Sequence, residues 1–434
     1  MSKPQANALA LLPLLAFLAL FLGVGAYLTS QGVDYAFYQL PAPVAVLPAL
    51  ILAVLLSRDS LNRTVEQFLA GCGHSNIMAM CLIYLLAGAF AAVAKATGGV
   101  DATVNLGLSL IPAELLLPGL FVIAAFIATA MGTSMGTIAA LAPVALGLAQ
   151  EADLSLALTA GALLSGAMFG DNLSIISDTT IAATRSQGCE MKDKFRANVR
   201  LALPAAILTL IWLAFAGEGA AEIAAREVQL LPVLPYLSIL VLAVAGVNVF
   251  VVLLLGIAFA GLVGLAGDYQ LASFAKDIYA GFTGMQEIFI LSLLMGGLGA
   301  LMERQGGLAW LAQKLGRGAG SRRGGELAIA GLVASTNACT ANNTVSIIVT
   351  GSVARELAEQ QGIEAKRSAS LLDIFACVSQ GLLPWGAQAL LLGSSFAISP
   401  LAAVSHSGYV LVLATLALAS IVLARSQAPQ VATA

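Results

Sequence analysis

Uninterrupted apolar runs of about twenty residues, divided by short polar stretches, set the pattern of this 434-residue chain. A helix needs roughly 20 such residues to cross a hydrocarbon core of about 30 Å. The pattern therefore predicts an all-α polytopic membrane protein with spans near 7–29, 38–56, 76–97, 154–182, 199–217, 230–246, 247–267, 285–302, 368–394 and 399–424. The stretch 230–267 must hold two of them, because about 37 residues of unbroken helix would be some 55 Å long. Gly246-Val-Asn248 marks the turn.

Two further apolar stretches, 115–150 and 327–354, carry no charge and are interrupted at their middles by small polar residues. The interruptions read Thr129-Ala-Met-Gly-Thr-Ser-Met-Gly-Thr137 and Ser335-Thr-Asn-Ala-Cys-Thr-Ala-Asn-Asn-Thr344. Such residues leave backbone groups unpaired, which a membrane tolerates only where the segment is buried in protein or lines a wet cavity. Broken spans and re-entrant hairpins both fit, and charge decides between them. If both are hairpins, the basic loops fall together: Arg58 and Arg63; Arg185, Lys192, Lys194, Arg196 and Arg200; Arg304, Lys314, Arg317, Arg322 and Arg323; Arg355, Lys366 and Arg367. With Lys3 and Arg425 that places 17 of the 20 Lys and Arg on one face, leaving Lys95, Arg226 and Lys276. The positive-inside rule makes that face cytoplasmic, with both termini there. The first apolar run is too long for a signal-peptide core and reads as a retained span.

An internal repeat supports this count. Phe68-Leu-Ala-Gly71, then Leu86-Ala-Gly88 and Gly98-Gly99, resemble Tyr279-Ala-Gly281, Gly296-Gly297 and Gly306-Gly307 at an offset of about 208 to 210 residues. Each copy continues into an uncharged hairpin and a span broken by polar residues. The copies start on opposite faces, so the repeat is inverted, as in secondary transporters with discontinuous helices and a midplane site. The chain then divides into N-terminal scaffold spans (1–60), a first repeat (61–217), a linker with scaffold spans (218–267), a second repeat (268–394) and a last span with tail (395–434).

Composition agrees with the pattern: 59% of residues are hydrophobic and 10% are charged. The net charge of −3 is too small to say anything about partners, and no basic block suggests nucleic acid, so none is expected. Five cysteines match no metal or disulfide spacing, and His74 and His406 are isolated, so no cofactor is expected beyond transported or coupling ions.

Candidate chemistry concentrates at the interruptions. The first half offers Thr129, Thr133, Ser134 and Thr137 at the hairpin tip. Its broken span adds Asp171, Asn172, Ser174, Ser177, Asp178, Thr179 and Thr180. Carboxylate, hydroxyl, amide and freed backbone oxygens suit a hard cation such as Na+. A buried carboxylate holds its proton more firmly and can trade it for a cation. Asp171, nearest the apolar run, is the first choice for that exchange; Asp171, Thr133 and Asp178 are the expected Na+ ligands. The plainer alternative for either aspartate is a helix cap. The second half is neutral and rich in amides: Asn337, Thr340, Asn342, Asn343 and Thr344 at the tip face Gln380, Trp385, Gly386 and Gln388, with Pro384 breaking the helix. These suit a polar solute as well as an ion. Asp373 is read either as part of that solute site or as a first-turn charge favoured by the helix dipole. Glu287 is read as interfacial.

At Gly132-Thr-Ser-Met-Gly-Thr137 and Gly170-Asp-Asn-Leu-Ser-Ile-Ile-Ser-Asp-Thr-Thr180 the chain resembles the NhaC-type Na+/H+ antiporter family of the wider ion-transporter superfamily. Two positions depart from the family pattern: Asn172 stands where many members carry Lys, and Ile175 where they carry Pro. The resemblance implies a scaffold domain, a mobile domain holding both hairpins, an elevator-like shift and a homodimer in the plasma membrane. It implies Na+/H+ antiport, with Na+- or H+-coupled transport of an amino acid or organic anion left open. An intramembrane aspartyl enzyme is the reading from another class. A second half that copies the first speaks against it.

Overall fold

The computed structural model describes residues 5–31, 33, 39–110, 112, 115–174, 177–216, 229–245, 247–316 and 320–423. Gly246, Ile175, Lys3, Arg226, Arg317 and Arg425, named above, lie outside them.

After a short 3-10 turn at Ala8–Leu11, helices α1 (Leu12–Ser30), α2 (Ala42–Ala45) and α3 (Leu47–Leu55) precede the first repeat. That repeat comprises α4 (Leu61–Cys72), α5 (Ser75–Ala96), α6 (Gly99–Leu110), α7 (Leu116–Met131), α8 (Ser134–Glu151), α9 (Leu156–Leu173), α10 (Asp178–Gln187) and α11 (Met191–Ala216). Two connecting helices follow, α12 (Leu230–Val244) and α13 (Val249–Leu265). The second repeat runs through α14 (Leu271–Gly284), α15 (Gln286–Arg304), α16 (Gly307–Gly316), α17 (Arg322–Thr340), α18 (Asn343–Gln360), α19 (Ala365–Leu382) and α20 (Ala387–Phe396). Helices α21 (Pro400–Ser405) and α22 (Gly408–Val422) follow. Among the described residues five helical stretches are long and apolar enough to cross a membrane, and shorter apolar helices occupy Ala42–Leu55, Leu116–Ala130, Leu230–Leu242, Val249–Leu265 and Gly408–Val422. The protein is all-helical and polytopic.

The uncharged stretches are helical hairpins, α7–α8 and α17–α18, that reverse at Gly132-Thr133 and Ala341-Asn342. Thr133 and Asn342 are the N-caps of the returning arms, accepting from the amides of Gly136 and Val345. This is why small polar residues stand where the apolar run reverses. The broken spans are α9–α10, open between Leu173 and Asp178, and α19–α20, open at 383–386. Four helices are additional to the sequence reading, and one expected span is divided. Amphipathic α4 and α14, and short α6 and α16, were not expected as helices; they are too short or too polar to read as spans. The expected final span is divided at His406-Ser407 into α21 and α22.

The repeat is visible in the backbone itself. Among the described residues, those with left-handed φ fall into four pairs: Gly98 with Gly306, Gly132 with Ala341, Asp153 with Gly362 and Gly188 with Ala397. The members of each pair are 208 or 209 positions apart in sequence. A left-handed residue marks a helix end, so the same helix ends recur in order. Contacts between the copies are reciprocal, as a two-fold relation requires. Helix α4 packs on α15 while α14 packs on α5. A Cβ on Gly71 would meet the Gly296 carbonyl at 2.6 Å, and one on Gly88 would run into the Gly281 carbonyl. Only glycine permits both approaches. Near the axis, where α5 meets α15, Ser292 Oγ donates to Tyr84 Oη at 3.3 Å, a pair again 208 residues apart.

Candidate functional site

Both hairpin tips and both helix breaks meet in the protein interior. Helix α10 of the first repeat packs on α18 of the second, and α20 of the second packs on α8 of the first. Asp171, two residues before the end of α9, is 4% exposed. Its Oδ2 accepts from Ser134 Oγ at 2.9 Å and Asn343 Nδ2 at 3.4 Å, and its Oδ1 accepts from Ser177 Oγ at 2.7 Å. Those three donors come from the first tip, the second tip and the first break. Gln388, opening α20 after the second break, donates to Ser134 Oγ at 3.0 Å and accepts from Gln380 Nε2 at 2.7 Å. A single carboxylate is thus framed by hydroxyls and amides from all four interruptions.

The remaining candidates divide between bracing the cluster and standing apart from it. Ser174 Oγ donates to the Thr129 carbonyl at 3.0 Å and Thr180 Oγ1 to the Ser174 carbonyl at 2.7 Å, stitching the first break to its own hairpin. Thr179 shares a 2.9 Å hydroxyl contact with Ser177. The hydroxyls of Thr129 and Thr137 bond backbone carbonyls one turn earlier, at Ala125 and Thr133. In the second half, Trp385 Nε1 donates to the Ala338 carbonyl and Asn337 Nδ2 to the Ala376 carbonyl and Ser379 Oγ. Thr340 bonds the Thr336 and Asn342 carbonyls, and half-buried Thr344 gives its backbone N–H to the Asn343 side chain. The expected trio Asp171, Thr133 and Asp178 is not assembled as such. Thr133 is spent as a cap, Asp178 is the exposed first residue of α10, and Asp171 binds their neighbours Ser134 and Ser177 instead. Glu287 accepts from the Ala42 amide at 3.2 Å and takes no part.

Asp373 and Lys194 overturn the sequence reading most. Asp373 lies in the third turn of α19, fully buried, and is not a first-turn cap. It also turns away from the second-half amides toward the first repeat. Its Oδ2 accepts from Asn172 Nδ2 at 3.0 Å, Asn198 Nδ2 at 2.8 Å and Lys194 Nζ at 2.8 Å. Lys194, counted by sequence among the loop cations, is 1% exposed. Its Nζ also donates to the Asn172 carbonyl at 2.8 Å and Thr180 Oγ1 at 2.7 Å. The signal was present. The buried face of α11 carries Lys194, Asn198, Ala202, Ala205, Ala206, Thr209 and Leu213, so extending the apolar stripe backward at helical spacing puts Lys194 and Asn198 inside.

Among the described residues three carboxylates are buried: Asp171, Glu326 and Asp373. Glu326 pairs with Arg322 and Arg367, and Asp373 with Lys194. Among the described residues Asp171 has no cation within ion-pair distance.

Two cavities flank the hairpins. One of 570 Å³ lies between α5, α6, α8 and α14, with Lys95, Val100, Asp101, Val104 and Gly147 in its wall. The other, of 140 Å³, is walled by Glu303, Leu308, Ala309, Ala312 and Thr350. Lys95, Val100, Asp101 and Val104 correspond, 208 residues on, to Glu303, Leu308, Ala309 and Ala312. They are copies of one cavity, unequal in size.

A model of the Na+/H+ antiporter family matches residues 5–218 and 219–424. The Na(+)/H(+) antiporter NhaC of Bacillus subtilis is 27% identical over 364 residues, 75% of this chain and 79% of that protein. The arginine/ornithine antiporter ArcD of Halobacterium salinarum is 24% identical over 415 residues, covering 87% of this chain and 86% of its own length. The malate-2H(+)/Na(+)-lactate antiporter of Bacillus subtilis is 32% identical over 190 residues, 42% of this chain and 39% of that protein.

Proposed function

Because the chain belongs to the Na+/H+ antiporter family, we propose that it exchanges Na+ for protons at Asp171. One observation carries the assignment to that residue: among the described residues it is the buried carboxylate left without a cation. An uncompensated charge at that depth is expensive, so the group is stable only with a proton or a metal cation upon it. Ser134 and Ser177 present hydroxyl oxygens to the two carboxylate oxygens of Asp171, so Na+ can replace the proton there with a hydroxyl as a further ligand, while Asn343 faces the group with its amide nitrogen.

The paired cavities supply the routes. By the distribution of basic loops, the wall holding Lys95 opens to the outside and its copy at Glu303 to the cytoplasm, with both termini cytoplasmic. On that orientation, the larger first cavity is the outward-facing one. Shrinkage of the first cavity with growth of the second carries the loaded hairpins to the other face. A homodimer with the scaffold at its interface completes the proposal.

Transport of an amino acid or organic acid is the weaker reading. The amide nitrogens of Asn337, Gln380 and Gln388 are spent on one another, on the backbone and on the hydroxyls of Ser134 and Ser379, while Asn337 Oδ1 and Gln380 Oε1 stay buried without a partner. No catalytic role is assigned: an aspartyl mechanism needs two carboxylates sharing a proton, and Asp373 is held by Lys194. The test is exchange in proteoliposomes carrying a trapped pH dye. An imposed Na+ gradient should move protons in the opposite direction, and Asp171→Asn should abolish that response; full Na+-driven proton movement in Asp171→Asn removes Asp171 from the role.

A further inference from the structure

Lys194 is built into a place that the exchange at Asp171 does not by itself require. Its ammonium has three protons, and three oxygens take one each: Asp373 Oδ2 at 2.8 Å, the Asn172 carbonyl at 2.8 Å and Thr180 Oγ1 at 2.7 Å. Carboxylate, carbonyl and hydroxyl oxygens converging on one dry point form the donor set a hard cation takes. Every residue of the set is at most 1% exposed. Two more oxygens stand by, since Asn172 Oδ1 and Asn198 Oδ1 are buried without a hydrogen-bond partner. The oxygen and nitrogen of a side-chain amide exchange by a half-turn, so Asn198 can turn its carbonyl toward the point its nitrogen now faces.

We infer that this is a second cation site, next to Asp171 along the chain, which the protein fills with its own tethered ammonium. The inference rests on Asp171 being the exchange site. Of the two buried aspartates at the centre, one is permanently occupied by Lys194 and one is open to cargo. The chain therefore binds a single Na+, and a short neutral side chain at 194 vacates the position for another.

The test is a count of Na+ on the purified full-length chain, by equilibrium binding of radioactive Na+ and by melting temperature during titration against choline at constant ionic strength. Wild type should bind about one Na+ and Lys194→Ala about two, with a steeper dependence of stability on Na+ in the variant. Lys194→Ala with Asp373→Asn should return to about one. A folded Lys194→Ala that still binds only one Na+ overturns the inference. Failure of the Asp171 reading looks different: Asp171→Asn would keep its Na+, while the gain in Lys194→Ala and its loss with Asp373→Asn would stand. Should Lys194→Ala fold in neither salt, Lys194→Ser decides: about two Na+ bound supports the inference, and one overturns it.

Discussion

Asp171→Asn and Asp373→Asn are the same chemical change at nearly the same depth, yet they should move stability in different directions. Asp373 is paired at 2.8 Å with an ammonium that is 1% exposed. Neutralising it leaves that ammonium buried with amide, carbonyl and hydroxyl oxygens alone. Breaking a buried pair from one side costs about 3–5 kcal/mol. Specific unfolding entropies of roughly 2 cal/mol/K per residue convert that to about 3–5 °C if the whole chain melts together. Asp171→Asn orphans no cation. Its new amide keeps one carbonyl for Ser134 or Ser177 and does away with the need for a bound proton or Na+, so its melting point should stay within about 1 °C of wild type or rise. Joint replacement, Lys194→Met with Asp373→Leu, should recover at least half of the Asp373→Asn loss, because well-packed apolar groups are often no worse than a buried pair. Melting curves in detergent at constant Na+ read all four proteins. Equal melting points for the two single variants would refute the reasoning, since it depends on Lys194 being charged and enclosed.

Ser134→Ala should weaken Na+ binding about tenfold with little change in fold, the loss of one hydroxyl of roughly 1.4 kcal/mol, measured by Na+ titration. On α14, Gly281→Ala places a methyl 2.5 Å from the Ala89 nitrogen, whereas Gly284→Ala, one turn away, meets nothing within 4 Å. The first should destabilise by about 1–3 kcal/mol and the second should be neutral or gain up to about 1 kcal/mol, by chemical unfolding. Gly132→Ala should cost about 1–2 kcal/mol and Ala341→Gly should cost nothing or stabilise, because the two tips share left-handed backbone but not glycine. In a cysteine-free background Asn105→Cys, in the larger cavity, should react with an impermeant maleimide added outside, and Na+ should change that rate; labelling only from the cytoplasm would reverse the proposed orientation.

The hairpins and broken spans were legible because their message is local. An uncharged run long enough to cross twice, interrupted by Thr133 or Asn342, can only turn back where a side chain caps the returning arm. The family motif around Gly170–Thr180 was equally local. What stayed hidden depends on pairing across about 180 residues. Nothing near Asp373 announces Lys194, which sits in a run with Lys192 and Arg196 that reads as a solvated loop. Asn198 and the small residues one and two turns beyond it show which way that run faces, but only once α11 is known to start at Met191 rather than at 199. Asp178 misled for the opposite reason: it has the right chemistry within the motif, yet it begins α10 on the exposed side.

The exchange of α4 and α14 between the copies bears on how the protein is made. Helix α4 emerges from the ribosome long before its seat on α15, which ends at Arg304. At translation rates of about 5–20 residues per second, the wait is roughly 10–50 s. Through that interval α4 lacks its partner, and neither half can acquire these contacts alone. Split chains should therefore be inactive when produced separately and regain function when both halves are synthesised in one cell.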